Sequence, residues 1–284
     1  MEFSTEIRWN KPIPFPKRPK PLPLSKIGFL GSCFADNIGS WFSERHLESW
    51  SNPFGTVYNP VALRNQLQTL LQLKSPSFYE HNGLHGCWQF NTLSQFPTRM
   101  DSENYVQECI QKFQTQIANT QQVVLSLGTT GIFLRQGEVV TNCQRLPTSL
   151  FEKGNLSLDQ CTSALQKIIE LLQEQGVKTI LFTLSPIRYP KEGLAGNSLD
   201  KATLRLAIEK SCELQGVEYF PAGEILLDEL RDHRFYDKDL LHPSQEAIEL
   251  IRNRFLNWAY AQKDLEKLKE RDRLFRQSLH RPLR

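Results

Sequence analysis

Ile27-Gly28-Phe29-Leu30-Gly31-Ser32-Cys33-Phe34-Ala35 is an apolar run that halts at a glycine and passes through two small side chains into helical spacing. The pattern predicts a strand over 27–30 and a helix behind it, with Phe34, Ile38, Trp41 and Phe42 on one face. Ser32 and Cys33 then occupy a strand-to-helix turn. Such a turn lies beside a helix N-terminus, whose free N–H groups favour negative charge. A hydroxyl and a thiol are both nucleophiles once a base activates them.

The alternation continues outward from this stretch. Val123 to Leu127, Lys178 to Leu184 and Val217 to Phe220 read as further strands. Asn59-Pro60 supplies a cap and first-turn proline for a helix through Leu63, Leu67, Leu70 and Leu71. Ser102 is the expected cap of a helix carrying Val106, Ile110, Phe113 and Ile117. Ser157 to Gln175 is helical by period and closes on Gly176. Later helices are expected from about Asp200 to Leu214, and from Ser244 onward into the charged tail. Leu47 to Trp50 is a poor strand candidate by itself and ends in the turn Asn52-Pro53-Phe54-Gly55. Residues 75–100, rich in aromatic side chains, interrupt the alternation as a hairpin-like insertion, and 132–140 form a second hairpin turning at Gln136-Gly137.

Strands alternating with helices predict a three-layer α/β/α sandwich around a central, mainly parallel sheet of the flavodoxin-like kind. Right-handed crossovers bring every strand-to-helix turn to one edge, outside which ligands bind. Gly31-Ser32, Gly55, Gly128-Thr129 and Ser185 each follow a strand or turn that ends at that edge.

A chain of 284 residues buries a substantial core. Three parts are expected: a proline-rich arm over 1–24, a central α/β domain over 25–260 that carries the 75–100 insertion, and a basic helical tail over 261–284. The tail has eight Lys or Arg against four Asp or Glu. It reads as a solvated terminal helix rather than a nucleic-acid binder. No apolar run reaches the length of a membrane span, and the N-terminus lacks a signal-peptide core, so the expected location is cytoplasmic. The six cysteines form neither C-x-x-C nor a metal-type spacing with histidine, which predicts reduced thiols and no metal site. No organic cofactor is implied.

Far downstream, Asp239-Leu240-Leu241-His242-Pro243 places a carboxylate three residues before a histidine. A nucleophile needs a base, and the base needs an orienting group. His242 and Asp239 supply both from one loop, unless they merely shape the turn before Pro243.

Together these segments resemble the GSCFA-domain family. The resemblance rests on Gly31-Ser32-Cys33-Phe34-Ala35, Asn52-Pro53-Phe54-Gly55, Gly128-Thr129, Ser185-Pro186-Ile187-Arg188 and Asp239 with His242-Pro243. It implies the fold of the SGNH (GDSL-like) hydrolases, whose nucleophile also comes early and whose Asp-x-x-His comes late. Strict register with their Gly-Asp-Ser opening makes Cys33 the nucleophile, while serine chemistry points to Ser32. Gly55 takes the place of their oxyanion glycine. Gly128-Thr129-Thr130 stands where they carry an asparagine, so Thr130 or a backbone N–H has to serve. Arg188, Asn197 and Lys201 are candidates for substrate binding, and the anionic part of a substrate suits the two cations.

The implied function is an acyl-ester hydrolase acting on a small-molecule or glycan ester. With a sugar hydroxyl as acceptor the same chemistry is an O-acyltransferase. The alternative is a non-catalytic glycan- or protein-binding module. A working site puts the His242 imidazole within hydrogen-bond reach of Ser32 Oγ or Cys33 Sγ.

Overall fold

The computed structural model describes residues 3–4, 12–91, 95–189 and 193–279. The chain begins with β1 (Ile27–Gly31), α1 (Cys33–Glu44), β2 (Ser49–Ser51) and α2 (Pro60–Leu70). Next come β3 (Phe78–His81), β4 (Leu84–Cys87), β5 (Gln95–Phe96), α3 (Arg99–Ile117) and β6 (Gln122–Leu127). Then follow β7 (Gly131–Arg135), β8 (Glu138–Val140), β9 (Glu152–Asn155), α4 (Leu158–Glu174), β10 (Thr179–Leu184) and α5 (Gly193–Ser211). The chain closes with β11 (Val217–Tyr219), α6 (Ala222–Glu224), a π-helical turn (Ile225–Leu230), α7 (Gln245–Ala259) and α8 (Gln262–Leu279).

The central sheet runs β2-β1-β6-β10-β11 and is parallel throughout. Its strand order reverses between β1 and β6, the point at which open α/β sheets form a crevice. Alternate residues of each strand feed two cores. Leu30, Val123, Leu125, Ile180 and Phe182 pack with α2, α3, α4 and α5. Ile27, Phe29, Val124 and Leu181 pack on the other face with α1 and α7. This is the predicted three-layer sandwich.

Local chemistry sets several boundaries. Asn59 Oδ1 accepts the Ala62 N–H at 2.9 Å and starts α2. Ser157 and Gln160 form a reciprocal capping box that starts α4. The structure moves the cap of α3, because Thr98 Oγ1 accepts the Asp101 N–H at 3.1 Å while Ser102 lies buried inside the helix. The weak 47–50 segment yields β2, whose short run pairs with β1 from Ile27–Ser49 to Phe29–Ser51. Trp50 settles it by burying its ring in the core and donating Nε1–H to Thr120 at 3.0 Å. The aromatic insertion forms the three-stranded antiparallel sheet β3-β4-β5, although its residues 92–94 lie outside the described residues. The 132–140 hairpin gains a third strand, β9, that no apolar run announces.

Helix α5 begins at Gly193, earlier than the pattern at Asp200 suggests. The last helix does not continue into the tail. It stops at Tyr260, which is extended and bridges Leu22 of the arm, and α8 starts afresh. Phe15 meets Phe220 edge-on at 5.8 Å, and Pro16 O accepts Trp258 Nε1–H at 3.0 Å. On α8, Leu265 and Leu268 join the core, and Asp272 binds Arg45 Nε at 2.7 Å. The remaining arm residues (1–2 and 5–11) and tail residues 280–284 lie outside the described residues.

Candidate active site

Gly31 ends β1 at φ +112°, and a Cβ there would stand 2.0 Å from Ser126 O of β6. Only glycine fits such a close approach in the left-handed region. Its N–H donates to Asn52 Oδ1 at 2.7 Å, and its carbonyl accepts Val57 N–H at 2.9 Å. The next residue is held just as tightly. Ser32 donates its N–H to Ser126 O at 2.8 Å, and its hydroxyl meets Ser126 Oγ at 2.8 Å. Ser32 is therefore fully buried, and although it caps α1 its side chain makes no cap bond.

Cys33 is the first residue of α1 and is half-buried. The two nucleophile candidates thus differ: the Ser32 hydroxyl is fully buried against Ser126, whereas Cys33 is only partly buried. Burial, reinforced by Asp36, pushes the Cys33 thiol up to about 11. The N–H groups of Cys33 and Phe34 face its sulfur and partly offset that rise. Asp36 is itself raised by burial, and its carboxylate accepts Asn52 Nδ2–H at 2.8 Å. Asn52 therefore ties the end of β1 to the first turn of α1.

The second part of the site is a closed loop before α7. Ser244 N–H donates to Phe235 O and Asp237 N–H to His242 O, each at 2.8 Å. Within it Asp239 Oδ1 accepts the N–H groups of Leu241 and His242 at 2.9 and 3.0 Å. Asp239 Oδ2 lies 2.6 Å from His242 Nδ1. These bonds from His242 and Leu241 hold the exposed carboxyl down at about 2. An ionised carboxylate only accepts, so Nδ1 carries the proton and Nε2 presents its lone pair. His242 is half exposed, and among the described residues no hydrogen bond joins it to Ser32 or Cys33.

The loop is nonetheless at the right edge of the sheet. Arg188, four residues beyond the end of β10, donates its N–H to Leu241 O at 3.2 Å and lays its guanidinium over the Tyr236 ring. Its neighbour Tyr189 packs edge-on against Tyr58 at 5.9 Å and covers Gly128, where a Cβ would stand 3.0 Å from the Tyr189 hydroxyl. That hydroxyl is buried and has no partner among the described residues.

The proposed oxyanion residues are all nearby but internally engaged. Gly55 N–H donates to Asn52 O at 2.8 Å. Gly128 and Thr129 N–H groups both donate to Tyr58 O, at 2.9 and 3.2 Å. The Thr129 and Thr130 hydroxyls both donate to the buried Asp200 carboxylate, the first at 2.5 Å. Asn197 Oδ1 accepts Tyr189 N–H at 2.9 Å, and Lys201 Nζ donates to Ser185 O at 2.6 Å. Loss of solvent lowers the Lys201 amine to about 7, against the opposing pull of Asp200 and Glu224.

Sequence reading missed Ser126, Asn52, Asp36, Tyr58 and Tyr189. Asn52 stood inside a recognised turn motif. The others are ordinary strand, helix or loop residues, and only their neighbours make them relevant.

A doubly wound sheet with a Gly-Ser-Cys turn at its reversal point and an oriented histidine on the same edge defines a small class of α/β proteins. The GSCFA family model matches residues 26–255, and the chain belongs to that family. No match is found among curated proteins. Among the described residues, no helix is long and apolar enough to cross a membrane.

Proposed function

We propose that this protein is an acyl-ester hydrolase in which Cys33 is the nucleophile, His242 the general base and acid, and Asp239 the group that orients it. One observation carries the reading: the Asp239–His242 pair, closed at 2.6 Å, leaves Nε2 without a partner among the described residues, on the sheet edge that also carries the partly buried Cys33. Cys33 is favoured because it is only partly buried, whereas Ser32 is fully buried with its hydroxyl spent on Ser126.

His242 Nε2 takes the thiol proton as Sγ attacks the carbonyl carbon of the ester. The carbonyl electron pair moves onto oxygen, where the Cys33 and Phe34 N–H groups and the Tyr189 hydroxyl are the candidate donors. Collapse expels the alkoxide, which takes the proton back from His242 and leaves an S-acyl cysteine. Water then attacks the acyl carbon as its proton passes to the same nitrogen, the C–S bond breaks to release the acid, and the leaving sulfur takes the proton back from His242. Asp239 stabilises the imidazolium in both halves. A thiol held up at about 11 is nearly all protonated at neutral pH, so the base is required. His242 on the 235–244 loop is the candidate base, and catalytic hydrogen bonds often tighten only when substrate is bound.

A second reading is a binding module on the same fold. The missing His242–Cys33 bond and the internally engaged Gly55, Gly128, Thr129 and Thr130 donors favour it. Turnover of short-chain p-nitrophenyl esters and thioesters separates the two. The hydrolase reading expects wild-type and Ser32→Ala proteins to be active, with Cys33→Ala and His242→Ala inactive. A folded wild-type protein that turns over no substrate, or loses no rate in either inactive variant, supports the binding module.

A further inference from the structure

Beside this edge, at the end of β10, lies a cavity of about 260 Å³ between that strand, α5 and α6. Its polar lining has many donors and few open acceptors. Arg205 is answered by Glu209 at 2.6 Å and Glu224 at 3.8 Å. Glu224 in turn accepts the Tyr219 hydroxyl. Arg188 is different: it lies over Tyr236, and among the described residues no carboxylate pairs with it. Lys201 also lacks an ion pair among them, and its one hydrogen bond, to Ser185 O, leaves N–H groups to spare.

Two neutral donors complete the set. Asn197 uses its Oδ1 on Tyr189 N–H, which turns its NH2 group outward from that bond with no partner among the described residues. Ser185 lines the cavity, and its buried hydroxyl has no partner among the described residues. An unpaired buried donor such as the Ser185 hydroxyl carries a free-energy cost, and an acceptor that meets it together with the partly buried Arg188, Lys201 and Asn197 removes it. The remaining walls are Leu184, Ile187, Ala202 and Leu227, which suit a hydrocarbon stem.

We propose that this cavity binds an organic oxyanion, a carboxylate or phosphate carried on an apolar stem, through Arg188, Lys201, Asn197 and Ser185. The Arg188 N–H that holds Leu241 O makes the cavity a neighbour of the His242 loop. As a substrate anchor it rests on the acyl-hydrolase reading; as a binding site it does not.

The test is direct binding to the full chain by calorimetry, with hexanoate, hexyl phosphate and hexanol as probes. Either anion is expected to bind at least ~10-fold more tightly than hexanol, and the tighter of the two identifies the headgroup. Arg188→Gln is expected to weaken the anion by ~10-fold or more, the worth of one charge-assisted hydrogen bond. Lys201→Met keeps the stem volume and is expected to do the same, so a folding defect in one variant leaves the other. Thermal melts establish that each variant is folded. Equal binding of hexanol and both anions, no binding by any probe, or anion affinity unchanged in both folded variants overturns the proposal. Because the readout is binding, an inert protein that takes up hexanoate refutes only the hydrolase reading. An active one that ignores both anions refutes only the cavity.

Discussion

The β1–α1 turn and the 235–244 loop hold the two halves of the candidate site by opposite means. In the turn, Gly31 and Ser32 are bound to Asn52, Val57 and Ser126, distant in sequence and buried. In the loop, Asp239 and His242 are bound chiefly to each other and to residues within the same ten. Buried, long-range bonds break only with the fold, whereas exposed local ones break in small openings. The turn is therefore fixed by the fold, while the loop sets its own internal geometry and is tied to the neighbouring edge through the Arg188 N–H bond to Leu241 O.

Gly31→Ala tests the fixed half most severely. The new Cβ meets backbone rather than a flexible side chain, so a loss on the order of 4 kcal/mol is expected in urea unfolding. A loss below about 1 kcal/mol would mean that the turn yields and that the two halves are alike.

His242→Ala probes the other half. Acyl turnover is expected to fall about 10²- to 10⁴-fold, while the midpoint of unfolding hardly moves because the ring is half exposed. A large drop in stability would show that the loop is structural.

Ser126→Ala sharpens the contrast at smaller scale. It leaves the Ser32 hydroxyl buried with no partner, at a cost of about 1–3 kcal/mol. Adding Ser32→Ala should recover part of that loss, and a simple sum of the two effects would show that the hydroxyls are not coupled.

The smallest effect is one of pH. The folded Asp239 carboxyl is depressed to about 2 from its usual 3.8. Its contribution is fully present above the unfolded value and disappears as pH falls through the folded one. The stability difference between wild type and Asp239→Asn should therefore shrink between about pH 4 and pH 2. A difference that stays constant over that window would place the His242 contact outside the folded state.

Legibility in the sequence followed the range of the interaction. The three-layer sandwich was readable because strands and helices bury side chains with fixed periods, as Val123 to Leu127 and the Leu158–Glu174 helix show. Elements without a period were not. β2 has three residues and depends on where Trp50 docks, and β9 pairs through a sequence rich in polar residues. The end of α7 at Tyr260 depends on Leu22, more than 200 residues away.

The site divides along the same line. The sequence by itself determined the Gly-Ser-Cys turn at a strand end and the Asp239–His242 pair, because a glycine's conformational freedom and a three-residue spacing are local properties. Only the tertiary structure decided that Ser32 is fully buried and Cys33 only partly so. It alone showed that Tyr58 O and Asp200 occupy the Gly128, Thr129 and Thr130 donors. It also brought Ser185, Arg188, Asn197 and Lys201 around one cavity. A donor's availability depends on which acceptor the fold sets against it, and those acceptors come from segments that no local pattern connects.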